Sequence, residues 1–413
     1  MASMLKKTEG VEQSRRRQRF NSHSNSYSSA NSQRIRIDIN TSEELIDFKN
    51  SALVFDMEVS NGPATTNVGL PRYAASSWIK EIRVKDRAGN MIGENIQDYS
   101  VLSRAAFEMN VNNESELSVF EVLEGAKGTT IAQAVGTSIS TRQYCHQLIT
   151  HIFGSDDYFP AHLLGGLVVE IDMNTSSDVV LQTSGSTGAL YTINNLALVC
   201  DLVKLKPEVE TTFLNAVQNG GLVVDYRSHH TVKGTVATTT SQRFDLGTLN
   251  GRVANLQAVQ ILTKANQSVD EKDAFALNNL SSYRWKLGSK YLSESQIQCG
   301  TTQQAEYLFE WAKSQNINCG NMAQFGNSSR LTPAALIASK FVVGQQVDRA
   351  NTDMVLSSLK DLDHNRLELE LSYSSAPTAA TLYVFAQMDK RLIILPGKQH
   401  IDNDFQSQGT SML

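Results

Sequence analysis

The run Cys145-His146-Gln147-Leu148-Ile149-Thr150-His151, with His162 further on, gathers a thiol and three imidazoles, the side chains that ligate zinc. A structural zinc site takes four such ligands in two close pairs, and this run as a whole matches no common ligand spacing. Packed or solvated histidines are the expected reading. His229 and His230 are adjacent at the start of an apolar alternation, where neighbouring side chains point to opposite faces and cannot chelate one ion. Asp361, Asp363 and Asn365 open like a calcium loop, but the sixth position is Arg366 and the twelfth is Ser372, where such a loop needs Gly and Glu. A polar turn before a strand is expected there, and a surface loop at Asp156 and Asp157. Gly185-Ser186-Thr187-Gly188 lacks the Lys-Ser/Thr of a phosphate loop, and neither a nucleophile elbow nor a dinucleotide fingerprint occurs. The sequence therefore offers no catalytic residue, no metal ligand set and no cofactor site, and an enzyme is not expected.

The elements that would position any site are mostly strands. Ile35, Ile37 and Ile39 alternate with polar residues, as do Leu53, Phe55, Met57 and Val59 with Val54, Asp56 and Glu58. The pattern returns at Leu167, Val169, Ile171 and Met173, and again at Leu367, Leu369, Leu371 and Tyr373. Period-two alternation marks antiparallel sheets with one face in a core. SSWIKEIRVKDRAGNMI, residues 76–92, reads as two short strands turning over an Ala-Gly-Asn tip, where Gly89-Asn90 supplies the permissive backbone of a tight reversal.

Helical spacing is convincing in only two places: Leu102, Ala105, Ala106 and Met109, and Ala305, Leu308, Phe309 and Ala312. The two lie 203 residues apart. Ser76 in SSWIKEI and Ser281 in SSYRWKL differ by 205, and the strands from Leu167 and Leu367 by 200. Each half thus repeats one order of strands, helix, strands. The prolines fall between strand patterns or at their ends, as ladder hydrogen bonding requires.

At 413 residues the chain exceeds the length at which one core keeps growing, about 250 to 300 residues. Its 41% hydrophobic and 19% charged residues are those of a folded protein. The net charge of −5 hides a segment, residues 1–33, with six basic against two acidic side chains, so that the remainder carries −9. That body has no general attraction for nucleic acid or anionic lipid. Residues 21–33 hold six Ser and three Asn, too polar to order alone, so 1–33 is expected to be a flexible arm. The four cysteines are scattered, which suggests neither a disulfide framework nor a ribbon. No apolar run reaches a membrane span, and Met1–Leu5 is too short for a signal peptide. The expected layout is a first β domain at 34–206, a linker at 207–221, a second β domain at 222–396 and a tail at 397–413.

Tandem β domains of this size, together with SWIKEIRVKDRAGNMIGENIQDYSVL (77–102), LLGGLVVEIDM and YTINNLALVCDLVKL in the first half, and LSSYRWKLGSKYLSESQI and AEYLFEWAKS in the second, resemble the double-jelly-roll major capsid proteins. Those of polinton-like viruses and virophages, in the lineage of adenoviruses and large eukaryotic DNA viruses, are the most similar. The resemblance covers about residues 35 to 396 and implies an all-β fold of two tandem eight-stranded jelly-roll barrels, each with a short helix. It further implies a homotrimer whose six barrels form a pseudo-hexagonal capsomer of an icosahedral virion, assembled inside the host cell. Its partners would be neighbouring capsomers, penton and minor capsid proteins, with no small-molecule substrate. The arm would contact the shell interior, an internal membrane or the genome, and its broken run of charge favours anchoring over genome binding. Replacing His146 and His151 by Ala is expected to leave assembly intact. Two other readings remain: a single-jelly-roll shell protein with a projection domain, which predicts a dissimilar second half, and a carbohydrate-binding or enzymatic β domain, which predicts exposed aromatic or converging polar residues. Trp78, Trp285 and Trp311 sit inside strand or helix patterns, where core packing is expected.

Overall fold

The computed structural model describes residues 2–3, 5–6, 10–31, 34–60, 68–110, 118–126, 129–131, 141–154, 157–182, 189–248, 252–263, 274–314, 339–347, 366–395 and 399–404. The alternating segments are strands. In the first half they are β1 (Glu12–Asn21), β2 (Arg34–Ile39), β3 (Leu45–Ser60), β4 (Ile79–Asp86), β5 (Met91–Gln97), β6 (Arg142–His146), β7 (Leu167–Met173) and β8 (Leu190–Leu205), with helix α1 (Tyr99–Asn110) after β5. Helix α2 (Pro207–Gly220) leads to the second half. There the strands are β9 (Leu222–Val236), β10 (Ser241–Thr248), β11 (Arg252–Leu262), β12 (Leu280–Leu287), β13 (Lys290–Tyr291), β14 (Val342–Gln346), β15 (Arg366–Tyr373) and β16 (Ala380–Leu395), with helix α3 (Ala305–Ser314) after β13.

The first half pairs as β6-β3-β8-β1 and β2-β7-β4-β5, and the second as β14-β11-β16-β9 and β10-β15-β12-β13. Adding eight to each strand of the first half gives its counterpart in the second. Two four-stranded antiparallel sheets in this order, closed face to face, make a jelly roll, and the chain contains two. Their cores are the inward sets read from the sequence: Ile35, Ile37, Ile39, Leu53, Phe55, Val169, Ile171 and Leu369 are fully buried, and Leu371 almost so. Phe55 meets Trp78 edge-on at 5.3 Å, and Trp285 and Trp311 fill the second core. Fully burying each aliphatic side chain contributes about 1.5 to 3 kcal/mol.

The hairpin turns as expected. Gly89 has φ 93°, and the buried carboxylate of Asp86 accepts from the Asn90 backbone N–H at 2.7 Å. Elsewhere the structure corrects the sequence reading. Residues 12–21 are no flexible arm: β1 is the first strand of the first barrel, paired with β8 from Glu12↔Leu205 to Asn21↔Ala197. It was illegible because it is an edge strand with one buried position, Phe20, so no alternation shows. Its arginines are engaged locally. Arg15 reaches Asp47 at 2.8 Å and Asp201 at 3.3 Å, and Arg16 reaches Glu44 at 2.5 Å. The Arg16 guanidinium holds the Glu44 carboxyl below its ordinary range.

The linker 207–221 is largely helical. Pro207 stands at the first position, Glu208 and Glu210 lie in the first turn, and Gly221 closes the end, a set of signals that suits the helix termini and dipole. The tail contains a strand, Gln399–Asp404, on the edge of β16. In α3 the buried side chains are Tyr307, Trp311, Ala312 and Ser314, while Ala305 and Phe309 of the expected face are exposed. The rotation follows from β14: a Cβ at Gly344 would stand 2.8 Å from the Trp311 Cα, so the helix rests its tryptophan side on a strand with no side chain there.

Candidate functional site, the seam between the barrels

A buried set of converging charged groups joins the two barrels. Glu108, on α1 of the first barrel, is 1% exposed and lies 2.8 Å from the Lys340 ammonium of the second barrel and 2.7 Å from Arg72 of its own. One turn earlier, the Arg104 guanidinium lies over the Phe275 ring at 4.4 Å. Phe275 and Lys340 are bridged neighbours before β12 and β14. Strand β9 continues the seam: Thr231 donates to the Gln97 carbonyl at 2.7 Å, and Lys233 pairs with Asp98 at 2.5 Å. Residues Ala2–Ser3 pair in parallel with β9, and Leu5–Lys6 pair with Asp157–Tyr158, so the chain start ties both barrels.

This chemistry is adhesive. A buried carboxylate shared by a buried lysine and a partly exposed arginine fixes one relative placement of the two barrels. No sequence pattern announced it, because Glu108 and Lys340 are 232 residues apart and each reads as a surface residue alone.

His146 lies far from any open site. It is fully buried, one ring nitrogen 2.8 Å from the Glu124 carboxylate and the other 2.9 Å from the Tyr99 hydroxyl. That hydroxyl accepts the Ile149 N–H at 2.7 Å, and burial raises the Tyr99 pKa well above its ordinary value. The carboxylate–imidazole–phenol order resembles a proton relay, but all three groups are sealed in the first barrel. The network is structural, so His146→Ala carries a stability cost that the sequence alone did not suggest. It leaves Glu124 without its main partner, and a loss of about 1 to 3 kcal/mol in urea unfolding is expected; an unchanged midpoint would contradict the buried network.

The other candidates do not converge. Burial raises the Cys145 thiol pKa. His162 lies in a 3-10 turn at Ala161–Leu164, its pKa lowered by desolvation. His230 is exposed on β9, and Asp157 sits in the short strand beside Leu5–Lys6. His151 begins a short helix. Asp156, Asp361, Asp363, Asn365, Gly185 and Gly188 lie outside the described residues. Among the described residues no group of three His, Cys, Asp or Glu could hold a metal, and no helix is long and apolar enough to cross a membrane.

His229 shares the two-residue period of Thr231 and Lys233, and desolvation there pushes its pKa down to about 4. The fold thus favours neutral imidazole. The contribution is present above the ordinary value near 6.5 and is lost as pH falls from there toward 4, because the unfolded chain binds the proton first. The thermal midpoint is expected to fall over that window less steeply in His229→Gln than in the parent. Equal slopes would remove His229 from the pH response.

No protein-family model matches the sequence, and no curated protein matches it. Solved structures do match. The Faustovirus major capsid protein aligns over 94% of this chain and 92% of its own, with a TM-score of 0.67 at 9% identity. A chain of the Sputnik virophage aligns over 98% and 92%, with a TM-score of 0.62 at 10% identity. The mavirus major capsid protein aligns over 100% and 95%, with a TM-score of 0.53 at 11% identity. At such identities the likeness is one of fold, and it spans both barrels and the seam.

Proposed function

We propose that the chain is a major capsid protein of the double-jelly-roll kind, a building block that trimerises into a pseudo-hexagonal capsomer and tiles an icosahedral shell. The observation that carries this is the strand-for-strand correspondence between the halves, fused through a polar, buried seam and matched end to end by structures named as major capsid proteins. Two like barrels per chain make three chains a ring of six near-equivalent units, the symmetry a hexagonal tile needs. In this reading the protein performs no reaction. Its partners are two further copies, neighbouring capsomers, and penton and minor capsid proteins, and its place is the virion.

The alternative of a single barrel with a projection domain predicts an unlike second half, and the second half instead repeats the strand order of the first. A carbohydrate platform is poorly supported, since all three tryptophans are buried.

Light scattering of the purified full chain, followed by negative-stain images of the same peak, tests the proposal. A trimer of hexagonal outline is expected. A monodisperse monomer at high concentration would overturn it.

A further inference from the structure

The seam within one chain is directional. The first barrel gives the side that follows β5, with α1 carrying Arg104 and Glu108, and the second barrel receives it on the segment before β12 and the start of β14, at Phe275 and Lys340. Strand correspondence then picks out two sides with no counterpart in the chain. The giving side of the second barrel follows β13 and carries α3. The receiving side of the first barrel is the segment before β4 and the start of β6.

The large apolar side chains exposed among the described residues are five, and they divide between those two sides. On the giving side, Tyr291 ends β13 at 39% exposure and Phe309 lies on α3 at 38%. On the receiving side, the helix Val119–Glu124 packs against β6 and the helix Ala74–Ser77, and it exposes Val119 at 57%, Val122 at 67% and Leu123 at 37%. The helix is anchored from beneath: the Tyr73 N–H donates to the Gly125 carbonyl at 3.0 Å, and Arg142 of β6 pairs with Glu121 at 3.1 Å. The outward valines and leucine are thus held up to solvent by a fixed support, a placement expected of an interaction site.

We infer that α3 and the end of β13 dock on the Val119–Glu124 helix of a second copy of this chain, so that the contact between copies repeats in place the contact within the chain. The occupant is a second copy because it alone carries both halves of the match: an apolar giver where the internal seam has its giver, and an apolar receiver where the internal seam has its receiver. The contact is head-to-tail, and it closes when each giver finds a receiver. Its chemistry differs from that of the internal seam. The contact within the chain is a buried ion cluster made once, during folding, whereas the contact between copies is apolar and forms between folded surfaces that must stay soluble until they meet. This assignment rests on the capsomer reading.

The test uses the full-length chain and two single variants, Phe309→Asp and Val122→Lys, with the double variant that carries both. Both positions are exposed, so each variant is expected to fold with the parent's circular dichroism spectrum. Each single variant is expected to run as a monomer where the parent is a trimer, because a charge is set against an apolar partner. The double variant, which sets the introduced ammonium of one copy opposite the introduced carboxylate of the next at every junction, is expected to regain the trimer. A parent trimer with trimeric single variants, or a double variant that stays monomeric, would overturn the assignment and leave the capsomer standing. A monomeric parent would instead remove the capsomer reading and the assignment with it.

Discussion

Glu108→Ala is expected to cost about 3 to 5 kcal/mol, the loss that follows when one partner of a buried ion cluster is removed and the others stay. Lys340 keeps a side chain only 4% exposed, and with Glu108 gone its ammonium has lost the carboxylate that faced it across the seam at 2.8 Å. Arg72, 27% exposed, can turn to water, so the penalty falls mainly on the lysine. The distinctive result lies in the shape of the transition. Trp78 is the one tryptophan of the first barrel, and Trp285 and Trp311 report the second. With the seam intact, variants retaining only one set of tryptophans should unfold at the same urea concentration. In the Glu108→Ala background the two reports should separate as the barrels lose their coupling. Adding Lys340→Met, which removes the remaining buried charge and keeps an apolar stem, should recover a substantial part of the loss. A cost below about 1 kcal/mol would show that the cluster is not the seam's support.

Ile171→Asp should yield no soluble folded chain. Ile171 is fully buried on β7, opposite Ile35 of β2 and Ile82 of β4, both fully buried as well. A carboxylate there would sit within the buried apolar cluster, and the choice between burying the charge and protonating it costs several kcal/mol either way. The lost aliphatic packing adds about 2 to 5 kcal/mol. Together these approach the whole stability of a domain, about 5 to 15 kcal/mol. Ile171→Val, which keeps shape and apolarity, should cost about 0.5 to 1.5 kcal/mol and remain soluble. Soluble expression of the aspartate variant at the parent's level would refute the assignment of this residue to the core.

The two predictions sample what the sequence did and did not disclose. Ile171 could be found from spacing alone, since a half-buried strand records its inward face in every second residue. The same logic located Phe55, Leu369 and the tryptophans, and the offset near 200 residues exposed the duplication. Strand β1 escaped because an edge strand with an outward row of arginines has no apolar period. Helix α2 was missed although Pro207, Phe213, Val217 and Gly221 mark its start, its buried side and its end. On α3 the choice of Ala305 and Phe309 over Tyr307 and Trp311 failed because both sets have helical spacing, and Gly344, far along the chain, decides which one packs. The seam was invisible for a deeper reason: a buried Glu108 and a surface glutamate have the same local sequence signature, and only the third dimension separates them.

The pairing of first strand with last has a consequence in time. β1 is hydrogen-bonded to β8, and β9 to β16 from Leu222↔Ile394 to Val236↔Ala380, so neither barrel has its full sheets until its final strand has been made. Such distant closures are slow relative to local ones, because the loop entropy must be met before the ladder rewards it. On the ribosome, β3 presents an open edge until residues 190–205 emerge, and β11 waits likewise for residues 380–395, intervals of many seconds at ordinary synthesis rates of about 5 to 20 residues per second. A chain with two such waiting periods is a natural client for holding chaperones, and truncation within β16 would strand β9 and β11 together.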